Sequence, residues 1–109
     1  MDRKVGHAVP YVKSKSVQFR GGLPYVAQCR LGPADVVDFA VDLVEGAGCI
    51  ALELKIDGSL QLVAMQLLRY AEHGSVRAIV LATTKRRHLS LPSTMNGKPL
   101  LVAVLRTAW

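Results

Sequence analysis

The stretch Cys49–Ile56, read CIALELKI, constrains this chain more than any other. Ile50, Leu52, Leu54 and Ile56 alternate with Ala51, Glu53 and Lys55, the period of two that marks a strand with one buried face. The four aliphatic residues are the expected buried face. A strand of this kind needs neighbouring strands and a covering layer. With 109 residues, half of them apolar, the chain can bury one core and no second one.

The flanking segments supply the other elements. SVQF before Arg20 reads as a short extended piece, and Arg20-Gly21-Gly22 with Leu23 and Pro24 reads as a turn. YVAQCRL is rich in residues that suit a half-buried pleated strand, and Gly32-Pro33 ends it. Pro33 suits the first turn of a helix, and ADVVDFAVDLVEGAG follows with Asp35, Asp38, Asp42 and Glu45 spaced three and four apart. That spacing predicts a helix with one acidic face, closed at Gly46 or Gly48. Asp57-Gly58-Ser59 makes a turn with capping side chains, and LQLVAMQLLRYAEHG predicts a second helix closed by Gly74. VRAIVLAT and LLVAVLRT are two further strands, joined by a loop of about fifteen residues that is long for a hairpin. The expected fold is therefore α+β, a two-layer sandwich of two helices on a four-stranded mixed sheet. Its order is strand, helix, strand, helix, strand, strand. Residues 1–15 lack apolar periodicity and read as a flexible basic arm before a single domain over 16–109.

The net charge of +6 is unevenly spread: residues 1–30 carry +5, residues 31–84 carry −4, and residues from Lys85 onward carry +5 with no carboxylate. Basic ends around an acidic middle suggest a polyanionic partner, although solvation of a loop and a tail also explains such runs. No apolar stretch has the length of a membrane span, and no secretory signal opens the chain, so an intracellular location, cytoplasm or nucleus, is expected. Cys29 and Cys49 sit in apolar segments and read as reduced core residues, and no zinc spacing is present. His7, His73 and His88 read as surface residues that pair with neither cysteine, and the acids of the first helix carry no partner of opposite role. These readings give a noncatalytic protein without metal or cofactor.

The run of elements resembles the Alba superfamily of small nucleic-acid-binding proteins from Tyr25 to Thr107. The resemblance lies in RLGP before the first helix, LELKIDG running into the second, and a basic hairpin between two terminal strands. It implies contacts to nucleic acid from Arg30 in the first turn, Lys55 in the second, and Lys85, Arg86 and Arg87 on the hairpin. The single Arg30, and Asp57, Ser59 and Gln61 near the second turn, depart from the archaeal DNA-coating pattern. They fit the eukaryotic branch, whose members resemble RNA-associated proteins and subunits of the RNase P and RNase MRP particles.

The functional expectation is noncatalytic nucleic-acid binding through the phosphate backbone, RNA over DNA, with Arg20, Arg30, Lys55, Lys85, Arg86, Arg87, His88 and Lys98 at the contact. The broad apolar surface of the second helix, with Leu62, Met65 and Leu68 beyond the core stripe, suggests a homodimer or a heterodimer with a related subunit. Strands that wrap more of the helix explain it equally. The alternative function is a scaffolding subunit of a ribonucleoprotein particle that works mainly through protein contacts.

Overall fold

A computed structural model of the chain describes residues 16–18, 24–44 and 46–106. The arm at 1–15 and Arg20 with its turn lie outside the described residues. The elements are β1 (Ser16–Gln18), β2 (Pro24–Arg30), β3 (Val36–Asp42), β4 (Cys49–Lys55), α1 (Leu60–Ala71), β5 (Val76–Thr83), a 3-10 turn (Arg86–Ser90), β6 (Thr94–Met95) and β7 (Lys98–Val104). They form a seven-stranded mixed sheet in the order β1-β2-β3-β4-β5-β7-β6. β1 to β4 are an antiparallel meander, and β4, β5 and β7 run parallel.

This corrects the expected sandwich of two helices on four strands, because a single α-helix is present among the described residues and the expected first helix is strand β3. Asp35, Asp38 and Asp42 carry helical spacing, but Val36, Val37, Phe39 and Val41 between them are β-branched or aromatic and suit a pleat. Pairing on both sides, with β2 and β4, decides the matter. Gly46 and Gly48 have positive φ, as a helix end would also require, but here they turn the β3–β4 hairpin. A Cβ at Gly48 would strike the Ser75 carbonyl oxygen.

The expected long hairpin is also absent. β5 and β7 are parallel, so residues 84–97 cross over the sheet, and the 3-10 turn and β6 pack against α1 on the way. The true hairpin is the short one from β6 to β7, turned by Asn96 and Gly97, both with positive φ.

α1 begins at Ser59, whose hydroxyl accepts the Leu62 N–H at 3.2 Å. Its inner side buries Val63, Leu67, Tyr70 and Ala71 against Ala40, Cys49, Ala51, Val76, Ile79, Leu81 and Leu100 of the sheet. At its far end, Asn96 donates to the Ala71 carbonyl at 3.2 Å and Lys98 Nζ donates to the His73 carbonyl at 2.7 Å. A cation at a helix carboxyl end is favourable, so Lys98 serves the fold. Because α1 lies over Ala51 and Glu53, the buried face of β4 is opposite to the one expected from the sequence: Leu54 and Ile56 are exposed.

β2 and β3 do not stay flat. Their ladder keeps one register throughout but is interrupted between Gln28, which has φ 51°, and Asp38, where β3 also stops pairing with β4. Beyond that point the tip of the hairpin turns toward the last turns of α1. Cys29, Leu31 and Val37 are buried there. Asp35 accepts from Arg69 Nε at 3.1 Å and pairs with His73 Nε2 at 2.8 Å, and the Tyr70 hydroxyl donates to the Val36 carbonyl at 3.1 Å.

Candidate functional site

The departure of β3 from β4 leaves backbone N–H groups that β-pairing no longer satisfies. Two carboxylates take them. Asp38 Oδ2 accepts the Leu54 N–H at 2.8 Å, and Glu53 Oε1 accepts the Asp38 N–H at 3.2 Å. The two acids, fifteen residues apart in the chain, thus stand side by side where the strands part. Lys55 is two residues beyond Glu53 on the same strand face, with its ammonium 3.5 Å from Glu53 Oε2. Gln66 Nε2 donates to the Tyr70 hydroxyl at 2.8 Å on the neighbouring side of α1.

Glu53 is only 4% exposed. Burial, and after it the adjacent Asp38 charge, push its carboxyl above the usual range, against the pull of the Asp38 N–H and Lys55. Burial and the Glu53, Asp38 and Asp35 charges likewise push the Tyr70 hydroxyl up. Two carboxylates thus stand side by side with one lysine beside them. Among the described residues no group of three or more His, Cys, Asp or Glu gathers as a metal cage. Glu53 Oε1 and Asp38 Oδ2 are already taken by backbone N–H groups and Glu53 Oε2 faces Lys55, so a divalent cation here would meet these acids mainly through its own waters.

The basic residues expected at a nucleic-acid contact do not form one patch. Lys55, Lys85, Arg86 and Arg87 gather at the carboxyl ends of the parallel strands β4 and β5, where Thr84 N–H donates to the Lys55 carbonyl at 3.1 Å. This is the edge at which open parallel sheets bind ligands. Arg87 is partly engaged, with Nη2 3.0 Å from Asp57 Oδ1 and both Nε and Nη2 donating to the Gly58 carbonyl at 3.2 and 3.1 Å. The Gly58 N–H, and after it Lys85 and Arg87, hold the Asp57 carboxyl below its usual range. Lys85 and Arg86 have no ion-pair partner among the described residues. Lys98 lies at the opposite end of the helix, with its pKa lowered by burial and by Arg77. Arg30 is at the hairpin tip, where Nη1 donates to the Pro33 carbonyl at 3.1 Å.

His88 is buried and touches no solvent, contrary to the surface position expected of it. Its Nε2 lies 3.0 Å from the Gly58 carbonyl and its Nδ1 2.6 Å from Thr83 Oγ1, which also accepts the Lys85 N–H at 3.0 Å. A carbonyl only accepts, so Nε2 carries the hydrogen and Nδ1 accepts from the Thr83 hydroxyl in the neutral ring. The histidine ties the crossover to Gly58, whose φ of 116° would strain any side chain and where a Cβ would crowd the Val63 side chain at 3.2 Å. It positions Lys85, Arg86 and Arg87 and has no access to a ligand.

Leu62, Met65 and Leu68 are all well exposed on α1, as the dimer expectation requires, although exposure alone identifies no partner. Cys29 and Cys49 are buried thiols outside any disulfide, and burial pushes the Cys49 thiol up to about 12. No helix among the described residues is long and apolar enough to cross a membrane.

Sequence reasoning missed Asp38 and Glu53 because it put Asp38 on a helix, facing solvent. The available signal was an acid-x-Lys on a secure strand, Glu53-Leu54-Lys55, preceded by an acid within a β-branched run, VVDFAV. Comparison of the chain with protein-family models, curated proteins and solved structures finds no match.

Proposed function

We propose that the protein binds nucleic acid and hydrolyses its phosphodiester bonds with a divalent cation. The observation that carries this reading is the convergence of Asp38 and Glu53 beside Lys55, at the foot of the basic edge formed by Lys85, Arg86 and Arg87. Two acids side by side, one of them buried, repel each other, and a divalent cation would relieve that repulsion while presenting its outward positions to a phosphate. Asp38 and Glu53 would hold such a cation, which would supply charge neutralisation and an activated water for hydrolysis to a phosphate monoester and an alcohol. The Lys55 ammonium faces the charge that develops on the phosphoryl oxygens, and the cations of the edge hold the flanking phosphates.

A second reading keeps the carboxylates as structure. Each accepts a backbone N–H freed by the parting strands, and that service alone is a reason for both. The protein is then a noncatalytic nucleic-acid-binding module, RNA over DNA. It works alone or as a scaffolding subunit paired with a copy or a relative through Leu62, Met65 and Leu68.

Cleavage assays separate the two. Labelled DNA and RNA incubated with the protein and Mg²⁺ or Mn²⁺ are expected to be cut, with no cutting in chelator or by Glu53→Gln. The same cations are expected to raise the melting temperature of the wild type and leave that of Glu53→Gln unchanged. Cutting that persists in chelator, or in a folded Glu53→Gln protein, defeats the hydrolytic reading. Salt-sensitive binding without any cutting establishes the second.

A further inference from the structure

We infer that the sheet face opposite α1 is where two copies of this chain pair, an inference that does not depend on the hydrolytic function, since Glu53 lies on the α1 side. α1 covers one face only, packing on Ala51, Ile79, Leu81 and Leu100. The residues that alternate with these point the other way. Strand register sets them in three rows, and the middle row holds Ala27, Phe39, Leu52, Val80 and Leu101 side by side across β2, β3, β4, β5 and β7. The row on one side passes through Ile50, and the row on the other starts at Leu54. All three rows hold apolar or aromatic residues throughout these strands. Leu54 is 44% exposed and Leu101 63%. β4, β5 and β7 are parallel, and parallel strands are ordinarily covered on both faces.

Charge and area select the occupant. Nucleic acid finds no cation in these rows. The segment 1–15, with Arg3, Lys4, Lys13 and Lys15 against Asp2, finds no carboxylate there. A two-fold axis sets each patch against itself, so a charged patch repels its copy and an uncharged one does not. The face is therefore its own complement, and two such sheets can pack face to face. Five strands about 4.8 Å apart, with rows about 7 Å apart, make a face of about 500 Å² on each copy. Two copies then bury roughly 1,000 Å², the lower bound for a specific association. Ile56 and Leu105, both exposed just beyond the ends of β4 and β7, add to it at the border. Pairing here leaves α1 and Glu53 on the outer side of each copy.

The experiment uses the full chain. Sedimentation is expected to show a dimer at about 50 µM that dissociates on dilution. Leu101→Glu is expected to weaken association at least about tenfold, because pairing would bury an unpaired carboxylate. Leu62→Glu, on the exposed side of α1, is expected to leave association unchanged. Hydroxyl-radical labelling of the wild type reads the same contact without a substitution: Leu101 is expected to lose labelling as concentration rises, while Leu62 keeps it. A wild type that stays monomeric overturns the inference. Leu101 labelled at every concentration would then leave the face to a different partner, and Leu101 protected at every concentration would give it to another segment of the same chain. A folded Leu101→Glu protein that still dimerises also overturns it. So does a dimer in which Leu62 is protected and Leu101 is not, which moves the contact to α1.

Discussion

Two acid–base clusters flank the same bend in the β2–β3 hairpin, and their electrostatics are opposite. At the tip, one carboxylate meets two bases: burial would raise Asp35, but hydrogen bonds from His73 and Arg69 hold it below the usual range. Where the strands part, two carboxylates meet one base, and Glu53 is pushed up. The first cluster is complete and fastens the tip to α1. The second keeps an excess of negative charge in a place water scarcely reaches. A fold tolerates such an excess where a ligand relieves it, which is why function is assigned to the parting strands and structure to the tip.

The largest effect that would sharpen this contrast is on rate. Glu53→Gln is expected to lower cleavage at least about 100-fold, since loss of a metal ligand costs no less than loss of the groups that orient one. Asp35→Asn is expected to lower it far less. Equal losses in the two variants would erase the distinction. Binding comes next. Replacing Lys85 and Arg86 with Ala is expected to reduce the slope of log affinity against log salt by about 1.4 for a single strand, with the fold intact. An unchanged slope would remove the basic edge from the site.

Stability separates the clusters in the other direction. Asp35→Ala removes the acceptor of the partly buried His73 and the half-exposed Arg69 and is expected to cost about 0.5–1.5 kcal/mol by denaturant unfolding. Because its folded pKa is depressed, the stability Asp35 provides is present above its ordinary value of 3.8 and is lost as pH falls through the lower, folded value. Glu53 has the opposite sign. Its folded pKa is raised, so its penalty is absent below its ordinary value of 4.5 and grows as pH rises through the folded value. Glu53→Gln in chelator is therefore expected to melt above the wild type at pH 8 and level with it in acid. A melting temperature below the wild type at pH 8 would make Glu53 a structural residue. The smallest effect is at Lys98: Lys98→Met is expected to cost about 0.3–1 kcal/mol of stability as a helix-end cation. It should leave nucleic-acid affinity unchanged, and a loss of affinity would return Lys98 to the contact.

The sequence by itself determined the elements whose pattern is local. The strands over 24–30, 49–55, 76–83 and 98–104 and the helix over 60–71 follow from periodicity, with Ser59 and Gly58 placing the helix start. So did the gathering of Lys85, Arg86 and Arg87 in one connection. Tertiary structure decided everything that depends on a neighbour distant in the chain. Asp35, Asp38 and Asp42 satisfy a helical spacing, and only pairing with β2, joined by β4 from Phe39 to Asp42, makes that segment a strand. CIALELKI states that its residues alternate between two faces, but which face is buried depended on where α1 lay, and α1 covered Ala51 and Glu53. The loop after β5 looked like a hairpin because loop length does not encode strand direction. The crossover against α1 made β7 parallel and drew His88 inward. The candidate site belongs to this second kind. Asp38 and Glu53 are fifteen residues apart, and they meet because two strands part at that point and their freed N–H groups bind each other's carboxylates. Burial and the field of a neighbour are properties of that meeting and of neither residue alone.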